Sequence, residues 1–141
     1  MNNLRLAVVG CGHLGRIHAR LLSTMDHVQL VAAVDPHPAA RQTVADSLQL
    51  EAWPDYQQLP GRVDAAVLAA PTSLHAEIAL YLIKHGIHLL VEKPLAASSL
   101  DAQRMMLAAA RQGVVLAVGH VERFNPAFVA AEHQVQHPRL I

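Results

Sequence analysis

Residues 10–15 read Gly10-Cys11-Gly12-His13-Leu14-Gly15, and they directly follow Leu4–Val9, an apolar run with the pattern of a buried strand. A helix is predicted to begin at His13. In a turn between a strand and a helix, the first glycine permits a tight bend and the second lets a pyrophosphate approach the backbone. The third lets the helix pack closely on the strand. The helix N-terminus offers N–H groups and a partial positive charge to phosphates. The stretch therefore predicts a dinucleotide-binding turn, with a glycine turn of some other α/β domain as the alternative.

Beyond this turn, apolar strand-like runs alternate with amphipathic helical stretches, which predicts a parallel α/β sheet. The predicted strands are Leu4–Val9, Val28–Val34, Leu50–Trp53, Ala65–Ala69, Ile87–Val91 and Val114–Val118. The predicted helices are His13–Met25, one that Pro36 and Pro38 start and that runs to about Leu48, one capped by Thr72 and stopped at Gly86, one capped by Ser98 or Ser99 and stopped at Gly113, and one from Pro126 to before His137. Continuous apolar strands need helices on both faces of the sheet. We therefore expect a doubly wound Rossmann fold with strand order 3-2-1-4-5-6.

The length of 141 residues suits one ordinary domain. We expect a dinucleotide-binding Rossmann domain over residues 1–137. The last residues, 138–141, have the pattern of a strand that has barely begun, because a proline precedes three residues ending in Leu-Ile. They predict the start of a missing C-terminal domain.

The composition excludes several classes of function. Lys plus Arg equals Asp plus Glu, so the chain lacks the positive charge expected of a nucleic-acid-binding protein. The single cysteine cannot form an internal disulfide, and the first apolar run is too short for a signal or a membrane span. We therefore expect a cytoplasmic protein with no membrane partner. The ten histidines show no zinc-ligand spacing, so no metal is predicted.

Asp35 strengthens the dinucleotide interpretation because it lies about 20 residues after Gly15, at the end of the second predicted strand. Its carboxylate can accept hydrogen bonds from the adenosine ribose hydroxyls and would repel a 2′-phosphate, which favours NAD. Arg41 is close enough in sequence to reach a phosphate, so NADP stays an alternative cofactor. A purely structural role, capping the helix that begins at Pro36, is the alternative for Asp35.

Three more segments follow predicted strands at their carboxyl ends, where ligands bind in such sheets. They are Ala70–His75, Glu92–Pro94 and Gly119–Pro126. Each segment has a purely structural alternative. It is a helix start for Ala70–His75, a solvated loop pair for Glu92–Pro94 and a surface cation for Gly119–Pro126. Their shared location favours a binding site over three unrelated loops.

These motifs resemble the N-terminal domain of the Gfo/Idh/MocA oxidoreductases over essentially the whole chain. The resemblance rests on Gly10–Gly15 with His18, Asp35, Pro71-Thr72 with His75, and Glu92-Lys93-Pro94. It implies that Lys93 is catalytic and lies beside the nicotinamide and the reacting hydroxyl. It also implies a cofactor site that adds, to the glycine turn and Asp35, the residues Ala70, Pro71, Thr72, His75, Glu92 and Lys93.

The stretch Gly119–Pro126 is similar to the branch of this family that oxidises nucleotide sugars. We expect Arg123 and Asn125 to face the substrate together with Lys93. A planar guanidinium fork suits a diphosphate, which favours a nucleotide sugar over a free sugar. Pairing of Arg123 with Glu122 is the alternative.

The resemblance also implies a second α/β domain that covers the substrate, often builds a homo-oligomer and supplies an Asp-x-x-x-His acid/base element. This sequence contains no such element. We therefore expect an NAD-dependent dehydrogenase that acts on a sugar or nucleotide sugar, with this chain alone catalysing poorly or not at all. A non-catalytic NAD-binding or redox-sensing module and a biliverdin-reductase-like enzyme are the alternatives.

Overall fold

The computed structural model describes residues 3–132 and contains one six-stranded parallel sheet. The strand order is β3-β2-β1-β4-β5-β6, as predicted. The strands are β1 Leu4–Val9, β2 Val28–Val34, β3 Glu51–Trp53, β4 Ala65–Leu68, β5 His88–Val91 and β6 Leu116–Val118. The helices are α1 His13–Leu22, α2 Pro38–Leu48, α3 Thr72–Lys84, α4 Ser99–Gln112 and α5 Pro126–Glu132, with short 3-10 helices at Tyr56–Gln58 and Val121–Phe124.

Helices cover both faces of the sheet, as the continuous apolar strands predict. Alternate residues of β1 face opposite sides, because side chains alternate along a strand. Ala7 and Val9 belong to a core cluster with residues of α3 and α4, including Leu82. Val8 belongs to a second cluster with residues of α1 and α2, including Ala19. The sheet is thereby buried on two sides, and its carboxyl edge is left for the loops.

The ends of several elements differ from the prediction, each because a hydrogen bond competes with the regular pattern. Helix α1 ends at Leu22 rather than Met25. The hydroxyl groups of Ser23 and Thr24 each donate to the carbonyl three residues earlier at 2.8 Å, which favours a turn over another helical turn. Strand β6 begins at Leu116 rather than Val114, because the two preceding amides bind Ala109 O and the His88 ring.

The helix ends predicted at Ser98, Gly113 and Gly86 are correct, and the predicted Thr72 cap is wrong. Ser98 caps α4, since its hydroxyl oxygen accepts from Asp101 N at 3.1 Å. Gly113 ends the same helix in the left-handed region, with φ +68. Thr72 does not cap α3, because it is the first helical residue and Pro71 holds the cap position.

The last predicted helix does begin at Pro126. Its predicted end and the strand expected at 138–141 lie outside the described residues. Between residues 3 and 132, no helix is long and apolar enough to cross a membrane.

Candidate cofactor and active site

The loops that were singled out from the sequence leave the sheet along one line. The last residues of the six strands pair in a single row, in the order Trp53, Val34, Val9, Leu68, Val91 and Val118. The hydrogen-bond ladder then extends by one residue into five loops, where the donors are the amides of Asp35, Gly10, Ala69, Glu92 and Gly119. Consequently the first residue of each predicted functional loop is fixed by the sheet itself.

The glycine turn is shaped by two close approaches of backbone to backbone. Gly10 has φ +95, and a Cβ at this position would lie 2.6 Å from backbone atoms of Ala69 and Ala70. A Cβ on Gly15 would overlap the carbonyl oxygen of Gly10 and contact Val8. Gly12 is different, since a Cβ there would meet no atom within 4 Å. The first and third glycines thus build the turn, while the second leaves open space in front of it.

A cavity of about 750 Å³ opens directly in front of this turn. Among the residues predicted for the cofactor site, it is lined by Gly10, Gly12, His13, Leu14, Asp35, Ala70 and Pro71. The N-terminus of α1 points into this region, and its cap residue Gly12 has no side chain to occupy the first N–H groups. Cys11 is fully buried behind the turn, and its thiol donates to Val34 O at 3.6 Å.

More than half of the cavity wall consists of residues that were not predicted for the cofactor site. They are the last residues of β1 and β2, residues of the loops after β2, β3 and β4, and two residues of α3, namely Val9, Val34, Pro36, His37, Pro54, Asp55, Tyr56, Gln57, Ala69, Leu74 and Ile78. The signal that could have found the β3 loop is its position at the same carboxyl edge as the glycine turn. Tyr56 also donates its hydroxyl hydrogen to Glu77 Oε1 at 3.0 Å, which ties this loop to α3.

Asp35 lies in the cavity wall with both carboxylate oxygens engaged. Its Oδ2 accepts from Cys11 N at 2.8 Å, and its Oδ1 accepts from His37 N at 2.8 Å. The capping role given above as the alternative for Asp35 is wrong, because α2 begins at Pro38 with His37 at its cap position and no side-chain cap, and the bond from His37 N forms a turn before the helix. The Oδ1 atom also lies 3.2 Å from His37 Nδ1, so Oδ2 is the oxygen with a lone pair left to accept a ribose hydroxyl. Arg41 donates to the carbonyls of Asp35 and Pro36 at 3.2 and 3.1 Å.

Glu92 and Lys93 follow β5, which lies three strands along the row from β2 and Asp35, and they have opposite environments. Glu92 is buried, and its Oε1 lies 2.6 Å from Nε2 of His18 on α1. Its Oε2 accepts from Lys93 N at 3.1 Å. The Lys93 side chain is exposed and forms no ion pair with any residue between 3 and 132. The pair is therefore a buried acid that holds the backbone of an exposed lysine.

His75 is almost fully buried and joins two loops. Its Nε2 lies 2.8 Å from Ala70 O, and its Nδ1 lies 3.1 Å from Pro94 O. It stands on the first turn of α3, where Thr72 is half-buried. Neither Thr72 nor His75 lines the cavity. His75 instead connects the loop after β4 to the loop after β5 through its two ring nitrogens.

Arg123 and Asn125 are exposed in the loop after β6. Asn125 is bonded within its own loop, since its amide donates to Glu122 Oε2 and its Oδ1 accepts from Ala127 N. Within residues 3–132, Arg123 forms no ion pair, so the pairing with Glu122 considered above is not observed there.

Comparisons with known proteins agree with this geometry. Residues 4–120 match the model of the oxidoreductase family with an NAD-binding Rossmann fold, Gfo/Idh/MocA. The UDP-N-acetylglucosamine 3-dehydrogenase of Acidithiobacillus ferrooxidans is 35% identical over 127 residues, which are 90% of this chain and 40% of the relative. The scyllo-inositol 2-dehydrogenase (NAD(+)) of Bacillus subtilis is 32% identical over 95% of this chain and 40% of its own length.

A solved structure supports the same assignment. The chain superposes on GenD2 from gentamicin A biosynthesis, crystallised in complex with NAD, with a TM-score of 0.92 and 32% identity. The match covers 96% of this chain and 40% of GenD2. The chain thus spans about two fifths of the length of the relatives it matches. With a family match over residues 4–120, a glycine turn at the carboxyl edge and a cavity in front of it, the chain belongs to the Gfo/Idh/MocA oxidoreductases and carries their NAD-binding Rossmann domain.

Proposed function

We propose that this chain is the cofactor-binding part of a dehydrogenase that oxidises a secondary hydroxyl of a sugar, with a UDP-N-acetylhexosamine as substrate. Bound NAD supplies the hydride acceptor. The names of the two relatives support this substrate class, since each describes a dehydrogenase of a polyhydroxylated six-membered ring. The observation that carries the proposal is the position of Lys93. It is exposed and directly follows Glu92, at the same carboxyl edge of the sheet as Gly10 and Asp35.

The cavity accounts for the adenosine half of the cofactor. Gly12 and the N-terminus of α1 receive the pyrophosphate, because open space and backbone N–H groups meet there. Asp35 accepts the ribose hydroxyls. Pro54 and Leu74 add apolar side chains to the cavity wall, and an apolar wall suits a flat base. We also assign NAD rather than NADP as the preferred cofactor, because Asp35 is a carboxylate at the 2′-position.

Lys93 and Arg123 are assigned to the substrate. The hydroxyl oxygen loses its proton, and the carbon bonded to it gives up a hydride. Negative charge develops on the oxygen during this step, and the Lys93 ammonium stabilises that charge by donating a hydrogen bond. The exposed guanidinium of Arg123 binds the diphosphate in bidentate fashion. A base must accept the hydroxyl proton. Since the sequence contains no Asp-x-x-x-His element, we expect this chain by itself to react slowly.

The test uses the chain at a concentration equal to that of NAD, so that even one slow turnover is visible as NADH absorbance. With UDP-N-acetylglucosamine, NADH should form above the background without protein, and Lys93→Ala should remove this signal while leaving NAD affinity unchanged. Arg123→Ala should weaken UDP-N-acetylglucosamine binding about tenfold, the loss of roughly one charge-assisted pair. A chain that binds NAD but does not bind the sugar nucleotide would instead favour the non-catalytic module.

A further inference from the structure

His18 and Glu92 form a contact that joins α1 to the end of β5. The His18 Nε2 and Glu92 Oε1 atoms lie 2.6 Å apart, and the two side chains are 16% and 8% exposed. His18 stands one turn after Gly15 on the face of α1 that packs on the sheet. A carboxylate this far from solvent needs donors for both oxygens. His18 provides one of these donors, and the second is the backbone N–H of Lys93 at 3.1 Å.

The Glu92 carboxylate is also confined from the side of β6. A Cβ at Gly119 would lie 3.1 Å from Oε1 and 3.2 Å from both Cδ and Oε2. The carboxylate therefore occupies space that only a glycine at 119 leaves open. Helix α1, the end of β5 and the end of β6 together fix its position, and through the Lys93 N–H they fix the backbone of the next residue.

The segment that follows Lys93 is held from its other side. His75 Nδ1 lies 3.1 Å from Pro94 O, and its Nε2 lies 2.8 Å from Ala70 O. The Lys93 side chain, by contrast, has no ion pair with any residue of the described range and is exposed. A lysine has a long flexible side chain with rotatable donors, so the position of its ammonium group depends on how firmly its Cα is held.

We propose that His18 is a positioning residue for Lys93 and acts through the buried carboxylate of Glu92. This inference rests on the proposed catalytic role of Lys93, which His18 itself does not share. The imidazole donates to Glu92, the carboxylate turns its second oxygen to the Lys93 amide, and the lysine is presented at the carboxyl edge of the sheet. Loss of His18 frees the carboxylate to turn toward solvent, and the Lys93 backbone loses its anchor.

The two lysines of the chain, Lys84 and Lys93, allow a direct test without enzyme activity. Reductive methylation with ¹³C-formaldehyde labels both ammonium groups and keeps their charge, and a Lys93→Arg variant assigns the signals. In His18→Leu, the ligand-free methyl signals of Lys93 should move while those of Lys84 stay in place. In Glu92→Gln the Lys93 signals should stay near their wild-type positions, because the amide oxygen of the new side chain can accept from Lys93 N and its amide nitrogen can donate to a neutral His18.

Two further variants keep the proposal open to contradiction if His18→Leu folds poorly. Gly119→Ala pushes on the Glu92 carboxylate and leaves His18 in the sequence, and it should also move the Lys93 signals. Asp64→Ala is the matched control, since Asp64 likewise binds a side chain and a backbone amide, both of Arg5, but at the amino edge of the sheet. Its thermal midpoint should fall while Lys93 stays unmoved.

The proposal is overturned if Lys93 is unmoved in both His18→Leu and Gly119→Ala, or if Asp64→Ala moves it as far as they do. Addition of NAD provides a separate arm. If NAD does not shift the Lys93 signals of the wild-type chain, the catalytic role of Lys93 is wrong, whereas the ligand-free comparison still decides whether His18 positions it.

Discussion

The carbonyl oxygen of Gly10 lies in the space that a side chain on residue 15 would need. The turn and the first helical turn of α1 therefore touch through backbone alone. This contact explains why glycine is required at two ends of one short loop. Gly10 bends the chain because it adopts a positive φ. Gly15 has no side chain, so the bent chain can pack directly against the helix.

Substitution of Gly15 should damage the fold rather than the ligand site. In Gly15→Ala, the new methyl group meets fixed backbone, and overpacking of this kind costs about 1–3 kcal/mol or more. The free energy of unfolding, measured by urea titration, should fall by at least about 1 kcal/mol. Stability equal to that of the wild type would show that α1 can shift away from Gly10 at no cost.

Gly12→Val should have the opposite effect. The space around residue 12 is open and its φ is −70, so a side chain fits the fold. That side chain would fill the place of the pyrophosphate at the N-terminus of α1. Calorimetry should detect no NAD binding, and the thermal midpoint should stay near that of the wild type. An NAD affinity that does not change would contradict the assignment of the cavity.

The wild-type chain should bind NAD more tightly than NADP, because the Asp35 carboxylate repels a 2′-phosphate. Asp35→Ser should narrow or reverse this preference, since it removes a repulsive charge. Asp35→Asn is the control, because it removes the charge but keeps an acceptor oxygen. Titration of each variant with both cofactors gives the ratio of dissociation constants, and a wild-type ratio in favour of NADP would be incompatible with this account.

The thiol of Cys11 should be inert in the folded chain. Burial, aided by the charge of Asp35, raises the pKa of Cys11 to about 12. At pH 8 only about one molecule in 10,000 then carries the thiolate, which is the reactive form. Ellman's reagent should give no signal with the native chain and one equivalent after unfolding in guanidinium. Rapid labelling of the native chain would mean that the glycine turn opens frequently.

A surface ion pair at the amino edge of the sheet should make stability depend on pH. The hydrogen bonds from Arg5 lower the pKa of Asp64 from 3.8 in the folded state. A carboxyl group with a lowered folded pKa stabilises the fold above its unfolded pKa, and this contribution is lost as the pH falls through the lowered value. Both side chains are more than a third exposed, so the effect is small. Asp64→Asn should be less stable than the wild type at pH 7, and the difference should shrink below pH 3.8.

The sheet and the glycine turn could be predicted because local patterns determine them. Continuous apolar strands, helix stops at Gly86 and Gly113 and the Ser98 cap are all signals within a few residues. The contact between His18 and Glu92 could not be predicted, since 74 residues separate the partners and only the order of the strands brings them together. The same holds for Tyr56, which lines the cavity because β3 ends on the common row.

The two amides bound by Asp35 have a consequence for how this domain can evolve. The carboxylate that would discriminate between cofactors also fastens the glycine turn to the start of α2 before any ligand arrives, which is preorganisation. A lineage under selection for the phosphorylated cofactor would lose a rigid loop along with the unwanted charge. Such a change of preference should therefore keep a neutral acceptor at position 35, or be accompanied by a second substitution elsewhere that holds the turn.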